Sequence, residues 1–174
     1  TVLEKFDPEV VRFFILRAHY RSPLNYSDVH LDDAKLALQR LYVSLRGFKI
    51  EHSDVDWSHP LAHKFKEAMD DDFNTPEAIS ILFDLANEIN KSKSAPLADL
   101  LRSLAKTIGL LERDPETFLK GDEKISLNID MLILQRYEAK TNKNFKEADR
   151  IRSLLLESGI VLEDTPQGTI WRKE

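Results

Sequence analysis

Apolar side chains recur along most of the chain at the spacing of one helical face, with short polar breaks between these segments. The clearest stripe has intervals of three and four residues: Leu31, Ala34, Leu38, Leu41 and Leu45. Such a stripe predicts an amphipathic helix with that face in the core. We place its start after Ser27, a capping residue, and its end at Gly47.

Four other predicted helices begin at or next to a proline, which is common in the first turn of a helix. Their predicted spans run from Asp7 to about Ser22, from Pro60 to about Asp72, from Thr75 to about Lys93 and from Pro96 to about Leu111, with Asp7 and Thr75 as the expected N-caps. The leucine stripe of the last span is wide enough to pack between neighbours. Short links between these helices favour an antiparallel bundle.

The last third of the chain has a different pattern. After a charged linker at 120–124, one helical face is predicted from Ile129, Leu132, Ile133, Arg136 and Tyr137, and a further helix from Asn144 to Gly159. Two short runs rich in β-branched and aromatic residues, 160–162 and 169–171, then flank a Pro-Gly turn. Because a two-stranded ribbon is marginal alone, it must lie against the preceding helices. The predicted fold class is mainly α: an antiparallel helical bundle followed by a small α+β module with a C-terminal β-hairpin.

Composition narrows the classes of function. The 174 residues are 42% hydrophobic and contain no cysteine, which excludes disulfides and thiolate metal sites within the chain. No apolar run approaches the roughly 20 residues of a membrane span, so a soluble, cytoplasmic setting is expected. The net charge of −5 argues against nonspecific polyanion binding. Residues 48–92 carry ten acidic and four basic residues, whereas 136–174 carry seven acidic and eight basic residues, so any RNA contact is expected near the C-terminus.

No catalytic constellation is recognisable in the sequence. The chain lacks a glycine-rich phosphate loop, a His-Glu-x-x-His motif and a Gly-x-Ser-x-Gly motif. His59 and His63 are four residues apart and could ligate a metal, but Pro60 between them favours surface and capping roles. We therefore expect no catalytic residue and no metal site in this chain.

The C-terminal module interleaves basic residues, aromatic residues and isolated carboxylates. Single-stranded RNA is read by stacking bases on aromatic or arginine planes and by hydrogen bonds to base edges. The mixture therefore suits unpaired RNA. The alternative is structural: Phe145 would staple a helix start, Trp171 would cover the ribbon, and the carboxylates would pair with neighbouring basic side chains.

Three segments carry a resemblance to a known family. They are AHYRSPLNYSD at 18–28, MDDDFNTPEAISILFDLANEIN at 69–90 and FKEADRIRSLLLESGIVLEDTPQGTIW at 145–171. In this order and spacing, they resemble the C-terminal region of cysteinyl-tRNA synthetases. In that family a class I catalytic domain precedes this region and carries the HIGH and KMSKS motifs and a zinc site. None of these is present here, so the resemblance implies a fragment that begins downstream of the KMSKS loop.

The resemblance implies three parts and their roles. Residues 1–57 would be a stem-contact helical segment, 58–122 a helical bundle of the DALR type that binds anticodons, and 126–174 an anticodon-recognition module. The full-length ligase would use ATP and zinc to join cysteine to its tRNA, whereas this fragment would hold no cofactor and be inactive alone. Its partners would be the tRNA for cysteine and the N-terminal catalytic domain, and it would be a monomer with no membrane contact.

The resemblance also implies RNA-binding residues in the last module, with recognition of the GCA anticodon. The expected set is Arg136, Lys140, Phe145, Asp149, Asp164 and Trp171. Phe145 is similar to a stacking position, and Asp149 and Asp164 match carboxylates associated with reading anticodon bases. Lys140 stands where some relatives have arginine; lysine keeps the positive charge but lacks the planar fork of a two-pronged contact.

Two other functions remain open. The leucine stripes could form the interface of a helical protein-interaction module with no RNA role. A related ligase that joins cysteine to a sugar amine is the other alternative, but that group lacks a tail resembling residues 145–171.

Overall fold

The computed structural model describes residues 2–49, 54–120, 123–166 and 168–173, with the side chains of 123–127 left out. Within these residues the chain forms nine helices and one two-stranded antiparallel sheet, which confirms the predicted fold class. It divides into two compact units, 1–115 and 116–174. The three-part division expected from the resemblance stays a prediction.

Six helices make up the first unit. They are α1 (Val2–Lys5), α2 (Pro8–Leu16), α3 (Asp28–Ser44), α4 (Pro60–Asp70), α5 (Thr75–Ser92) and α6 (Ala95–Thr107). Helix α5 contacts α2, α3, α4 and α6, so it is the centre of this bundle. The predicted leucine stripes face inward, since Leu38, Leu82 and Leu101 have no exposed surface.

Helix starts follow local capping chemistry. Asp7 accepts a hydrogen bond from the Glu9 N–H, and Ser27 accepts one from the His30 N–H. The cap of α5 is Asn74 rather than the predicted Thr75, because the Asn74 side chain accepts from the Glu77 N–H.

Two helices end earlier than their apolar patterns predict. Helix α2 ends at Leu16 rather than near Ser22, and the chain beyond it brings Tyr20 and Arg21 to Asp72, at 2.8 and 3.0 Å. Helix α6 ends at Thr107 rather than Leu111.

The turn after α6 is held by one side chain of α2 and one of α6. The Arg102 guanidinium donates to the Leu111 and Glu112 carbonyls, and Gly109 adopts a positive φ of 70° while its carbonyl accepts from Arg12. Tertiary hydrogen bonds, which apolar spacing cannot reveal, therefore replace the last predicted helical turn.

A polar network joins α2 to the segment after α6. Glu9 accepts hydrogen bonds from the buried Tyr42 hydroxyl, at 2.8 Å, and from the Leu111 N–H, also at 2.8 Å. Arg113 forms a fork on Asp7, at 2.7 and 2.8 Å, and also reaches Glu9. Burial, reinforced by the Glu9 carboxylate, raises the pKa of Tyr42, so its hydroxyl remains a donor that fixes the start of α2.

The second unit contains three helices and the sheet. They are α7 (Pro115–Lys120), α8 (Glu123–Thr141), α9 (Phe145–Glu157), β1 (Ile160–Thr165) and β2 (Gly168–Lys173). The sequence did not predict α7. Of the expected linker at 120–124, Gly121 and Asp122 lie outside the described residues, and α8 already begins at Glu123.

The hairpin lies against the helices, as its marginal stability requires. Helix α9 packs on both α8 and β1, and the core of the unit is formed by Ile129, Ile151, Leu155, Ile160 and Trp171. The strands pair in a register that sets Thr165 opposite Gly168 and Asp164 opposite Thr169. The strands therefore extend further towards the turn than the predicted runs 160–162 and 169–171.

Candidate nucleic-acid interface

The face of interest lies where the last turns of α8 meet the turn end of the hairpin. The side chains of Arg136 and Lys140 are one helical turn apart on α8, and both contact Asp164 on β1. Residues four apart share a helix face, which is why the two basic groups meet the same carboxylate.

Arg136 forms a two-pronged ion pair with Asp164. Its Nη1 and Nη2 atoms donate to Oδ1 and Oδ2 at 2.9 and 3.0 Å, the fork geometry that makes such pairs strong. Only 4% of the Arg136 side chain is exposed, whereas half of the Asp164 side chain is. The pair therefore joins a buried cation to an accessible anion.

Two more donors converge on the same carboxylate. The Thr169 hydroxyl donates to Oδ1 of Asp164 at 2.6 Å, and the Lys140 ammonium approaches Oδ2 at 3.0 Å. Hydrogen bonds from Arg136, Thr169 and Lys140 hold the pKa of Asp164 well below its usual range. Asp164 is thus a fixed negative charge at any physiological pH.

Phe145 and Asp149 lie on the first two turns of α9. Phe145 is 63% exposed at the helix start, so it does not staple the helix and its ring is open to stacking. Asp149 is exposed one turn further on, and its charge helps to raise the pKa of Arg136, after the larger effect of the Asp164 hydrogen bonds. Both residues keep the exposure that RNA contact needs.

The connection between α8 and α9 is only three residues long. Lys143 adopts a positive φ of 58°, and Asn144 caps α9 by accepting from the Glu147 N–H. Glu147 itself pairs with Arg150 at 2.7 Å. Phe145 directly follows the N-cap Asn144, so this short connection keeps Phe145 at the start of α9 near the end of α8, where Lys140 lies.

Trp171 occupies a different environment from the one predicted. Only 1% of its surface is exposed, its Nε1–H donates to Asp130 at 2.7 Å, and Lys120 lies 5.4 Å from the ring centroid. Burial leaves no ring face for a base, so the prediction of RNA contact by Trp171 is corrected to a role in the core. The structural alternative, in which it covers the ribbon, describes its position.

Arg136 and Tyr137 also depart from their predicted positions. Arg136 is buried in its ion pair, so direct RNA contact by this guanidinium is corrected as well. Tyr137, predicted on the same helical face as Ile129 and Arg136, is 66% exposed. It directly follows the buried Arg136, and one residue further along a helix points about 100° away. Lys140, Phe145, Asp149 and Asp164 stay as the predicted contact residues.

The histidines that could have ligated a metal have other contacts. His59 caps α4 by accepting from the Leu61 N–H at 3.2 Å, and His63 lies 3.4 Å from Glu67 one turn further on. In the described part of the chain, no three histidine or carboxylate groups converge as a metal site would require. No helix of this part is long and apolar enough to cross a membrane.

Comparison with known proteins first gives a family match within the first unit. Residues 64–112 match the family model of the DALR domain. This stretch covers most of α4 and all of α5 and α6, and it lies within the 58–122 segment that the resemblance assigns to the bundle.

The chain as a whole is similar to cysteine–tRNA ligases. It is 61% identical to that of Methylobacillus flagellatus over 175 residues, 60% identical to that of Cupriavidus necator over 177 residues and 57% identical to that of Aromatoleum aromaticum over 178 residues. Each alignment covers 99% of this chain but only 38 or 39% of the relative. The matches confirm the resemblance stated above, and the chain corresponds to the C-terminal part of these ligases.

Proposed function

We propose that this chain is the tRNA-binding region of a cysteine–tRNA ligase, which recognises the GCA anticodon and positions the tRNA for aminoacylation. The observation that carries the proposal is the similarity of 99% of the chain to ligases of that name. The geometry of the second unit supports it, because exposed aromatic and acidic side chains share one end of α8, α9 and the hairpin.

Each exposed group has a defined part in this proposal. Phe145 stacks on an unpaired base, an interaction that contributes about 1–3 kcal/mol per base. Asp149 and Asp164 accept hydrogen bonds from base amino or imino groups, as carboxylates do at base edges. Lys140 supplies positive charge beside them, for a phosphate or a base edge.

The charge distribution suggests a division of labour. Phosphate contacts usually dominate affinity for nucleic acids, yet the segment 136–174 carries a net charge of only +1 from eight basic and seven acidic residues. We therefore assign specificity to this module and much of the electrostatic attraction to the catalytic domain. Few phosphate contacts by this chain give a shallow dependence of affinity on salt.

Direct binding tests the proposal. Hairpin RNAs with a GCA loop, and with each of the three bases changed in turn, are titrated against the protein. We expect each change to weaken binding by about 5- to 150-fold, the range of 1–3 kcal/mol for a good base contact. Equal affinity for all loops would refute the proposal.

Two variants sharpen this test. Phe145→Ala should weaken binding to the GCA loop by about tenfold, in line with the loss of one stacking contact. Phe73→Ala is the matched control, because Phe73 is exposed to the same degree, 64% against 63%, but belongs to the first unit. It should change affinity less than twofold, a limit of about 0.4 kcal/mol.

The whole ligase offers a second test. In the proposed mechanism the cysteine carboxylate attacks the α-phosphate of ATP, which forms cysteinyl-adenylate and releases pyrophosphate. The tRNA terminal ribose then takes the cysteinyl group and AMP leaves. Both steps, with ATP and zinc, belong to the catalytic domain. Asp164→Asn should lower kcat/KM for tRNA charging and leave cysteine-dependent exchange of pyrophosphate into ATP unchanged, because exchange needs no anticodon contact. A parallel loss of exchange would contradict a role confined to tRNA recognition.

The interaction-module alternative has one observation in its favour. Met131 and Leu134 on α8, 60% and 58% exposed, form an apolar surface, whereas the leucine stripes on which this alternative was based are buried. It predicts a tight oligomer by light scattering and no effect of RNA on thermal stability. A monomer whose melting temperature rises with GCA-loop RNA would exclude it.

A further inference from the structure

Arg136 has the features of a group that acts on RNA through another residue. It is a cation with 4% exposure, and its guanidinium faces the hairpin rather than solvent. Its partner Asp164 lies 28 positions away in sequence and is half exposed. A buried guanidinium cannot stack on a base or reach a phosphate without leaving its carboxylate.

The acceptor capacity of Asp164 is nearly filled from within the protein. A carboxylate offers about four acceptor positions on its two oxygens, and four donors from the described residues reach them. Arg136 supplies two, at 2.9 and 3.0 Å, and Thr169 one, at 2.6 Å. The fourth comes from Lys140, whose side chain is 42% exposed.

These donors differ in how readily they can leave. Arg136 is buried, and Thr169 is fixed by the strand register that sets it opposite Asp164. Lys140 sits on a flexible stem at the surface, and lysine makes point-charge contacts that exchange easily. An incoming base amino group can therefore replace Lys140 and neither of the other two.

We propose that Arg136 is a positioning residue: with Thr169 it fixes the plane of the Asp164 carboxylate, so that the position held by Lys140 in the free protein accepts a base donor. This inference rests on the proposed function. It replaces direct RNA contact by Arg136 with an indirect role. The planar fork is essential to it, because a single ammonium group would hold the charge of Asp164 without fixing the plane of its oxygens.

The test uses loop preference rather than affinity alone. Asp164→Asn is measured first on the GCA hairpin and its three single-base changes, and the position whose change no longer matters is the base that Asp164 reads. Arg136→Lys should reduce the preference at that same position about fivefold or more, a loss within the 1–3 kcal/mol range of a base contact. Preferences at the other two positions should change less than twofold.

A matched control and a second variant keep the outcome clear. Arg113→Lys makes the same substitution in the comparable fork on Asp7 in the first unit, and it should leave all three preferences unchanged. Thr169→Val removes one donor at nearly constant volume and should reduce the same preference severalfold, even if Arg136→Lys fails to fold. Folding of each variant is checked by the fluorescence of buried Trp171.

The results separate the two proposals. Loss of preference by Arg136→Lys at the Asp164 position alone supports the inference. Three results would overturn the inference while tRNA recognition stands. They are full retention of loop preference in Arg136→Lys or Thr169→Val, an equal loss of affinity for every loop, and an Asp164→Asn variant that keeps all preferences. A wild-type protein with no loop preference overturns the proposed function and this inference together.

Discussion

The ion pair between Arg136 and Asp164 predicts an asymmetric response to mutation. Removal of Asp164 leaves a guanidinium with 4% exposure beside the Lys140 ammonium, whereas removal of Arg136 leaves a carboxylate that is half in water and still bound by Lys140 and Thr169. An uncompensated buried charge is far more costly than a solvated one. Asp164→Ala should therefore destabilise the second unit more than Arg136→Met.

The magnitudes follow from the exposure of each partner. Loss of one partner from a buried pair costs about 3–5 kcal/mol, and we take about 3 kcal/mol for Asp164→Ala because water can enter the space it vacates. Arg136→Met should cost about 1 kcal/mol, the upper end for a half-exposed pair, since methionine fills the site of the arginine stem. The difference of about 2 kcal/mol is roughly a thirtyfold change in the unfolding constant.

Urea unfolding followed by Trp171 fluorescence measures this difference. A Trp57→Phe background removes the other tryptophan, which lies in the first unit and is 46% exposed. Lys140→Met is the control, and the loss of this exposed cation should cost less than about 1 kcal/mol. Equal destabilisation by Asp164→Ala and Arg136→Met, or the reverse order, would refute the reasoning.

Three further predictions concern acid, the turn after α6 and the buried indole. The lowered pKa of Asp164 gives stability that is present above its unfolded pKa of about 3.9 and lost as pH falls through the folded value. Asp164→Asn should therefore reduce the decrease in the free energy of unfolding between pH 5 and pH 2, measured by urea titration. An unchanged decrease would contradict this. Gly109→Ala should cost about 1–2 kcal/mol by calorimetry, because alanine resists a φ of 70° and its Cβ would displace the Arg12 guanidinium; no shift would indicate a relaxed turn. Trp171→Phe should lower stability by about 2 kcal/mol by circular dichroism but leave loop preference intact, whereas lost preference would restore Trp171 to the interface.

Helix starts could be predicted from the sequence because they are local. An oxygen-bearing cap, followed in some helices by a proline, specifies a start within a few residues, as Ser27 illustrates without a proline and Asp7 with one. The error of one residue at Asn74 arose because Thr75 is also a capping type, and only the hydrogen bond to Glu77 distinguishes them. The hairpin itself was likewise predictable from two runs of strand-forming residues around a Pro-Gly turn, but the strands reach Thr165 and start again at Gly168, beyond the predicted runs 160–162 and 169–171.

Helix ends and burial could not be predicted in the same way because they depend on distant partners. Helix α2 ends at Leu16, and Tyr20 beyond it binds Asp72, 52 positions away. Trp171 is buried in a cluster with Ile129, 42 positions away, and its Nε1–H donates to Asp130, 41 positions away. In the sequence, a basic or aromatic residue looks the same whether its side chain is buried or exposed. Only the packing determines which of these side chains face water and can bind a ligand.

Turn length in the hairpin has a consequence for how such ribbons can vary. Side chains alternate between the two faces of a strand, so one inserted or deleted residue at 166–167 would carry the partner of Asp164 to the opposite face. Thr169 would then point away from the carboxylate, although every residue that contacts it would still be present in the sequence. A related hairpin whose turn is longer or shorter by an odd number of residues should therefore need a β-bulge to restore this pairing. Residue identity alone is thus an incomplete guide to which related C-terminal modules share the same carboxylate geometry.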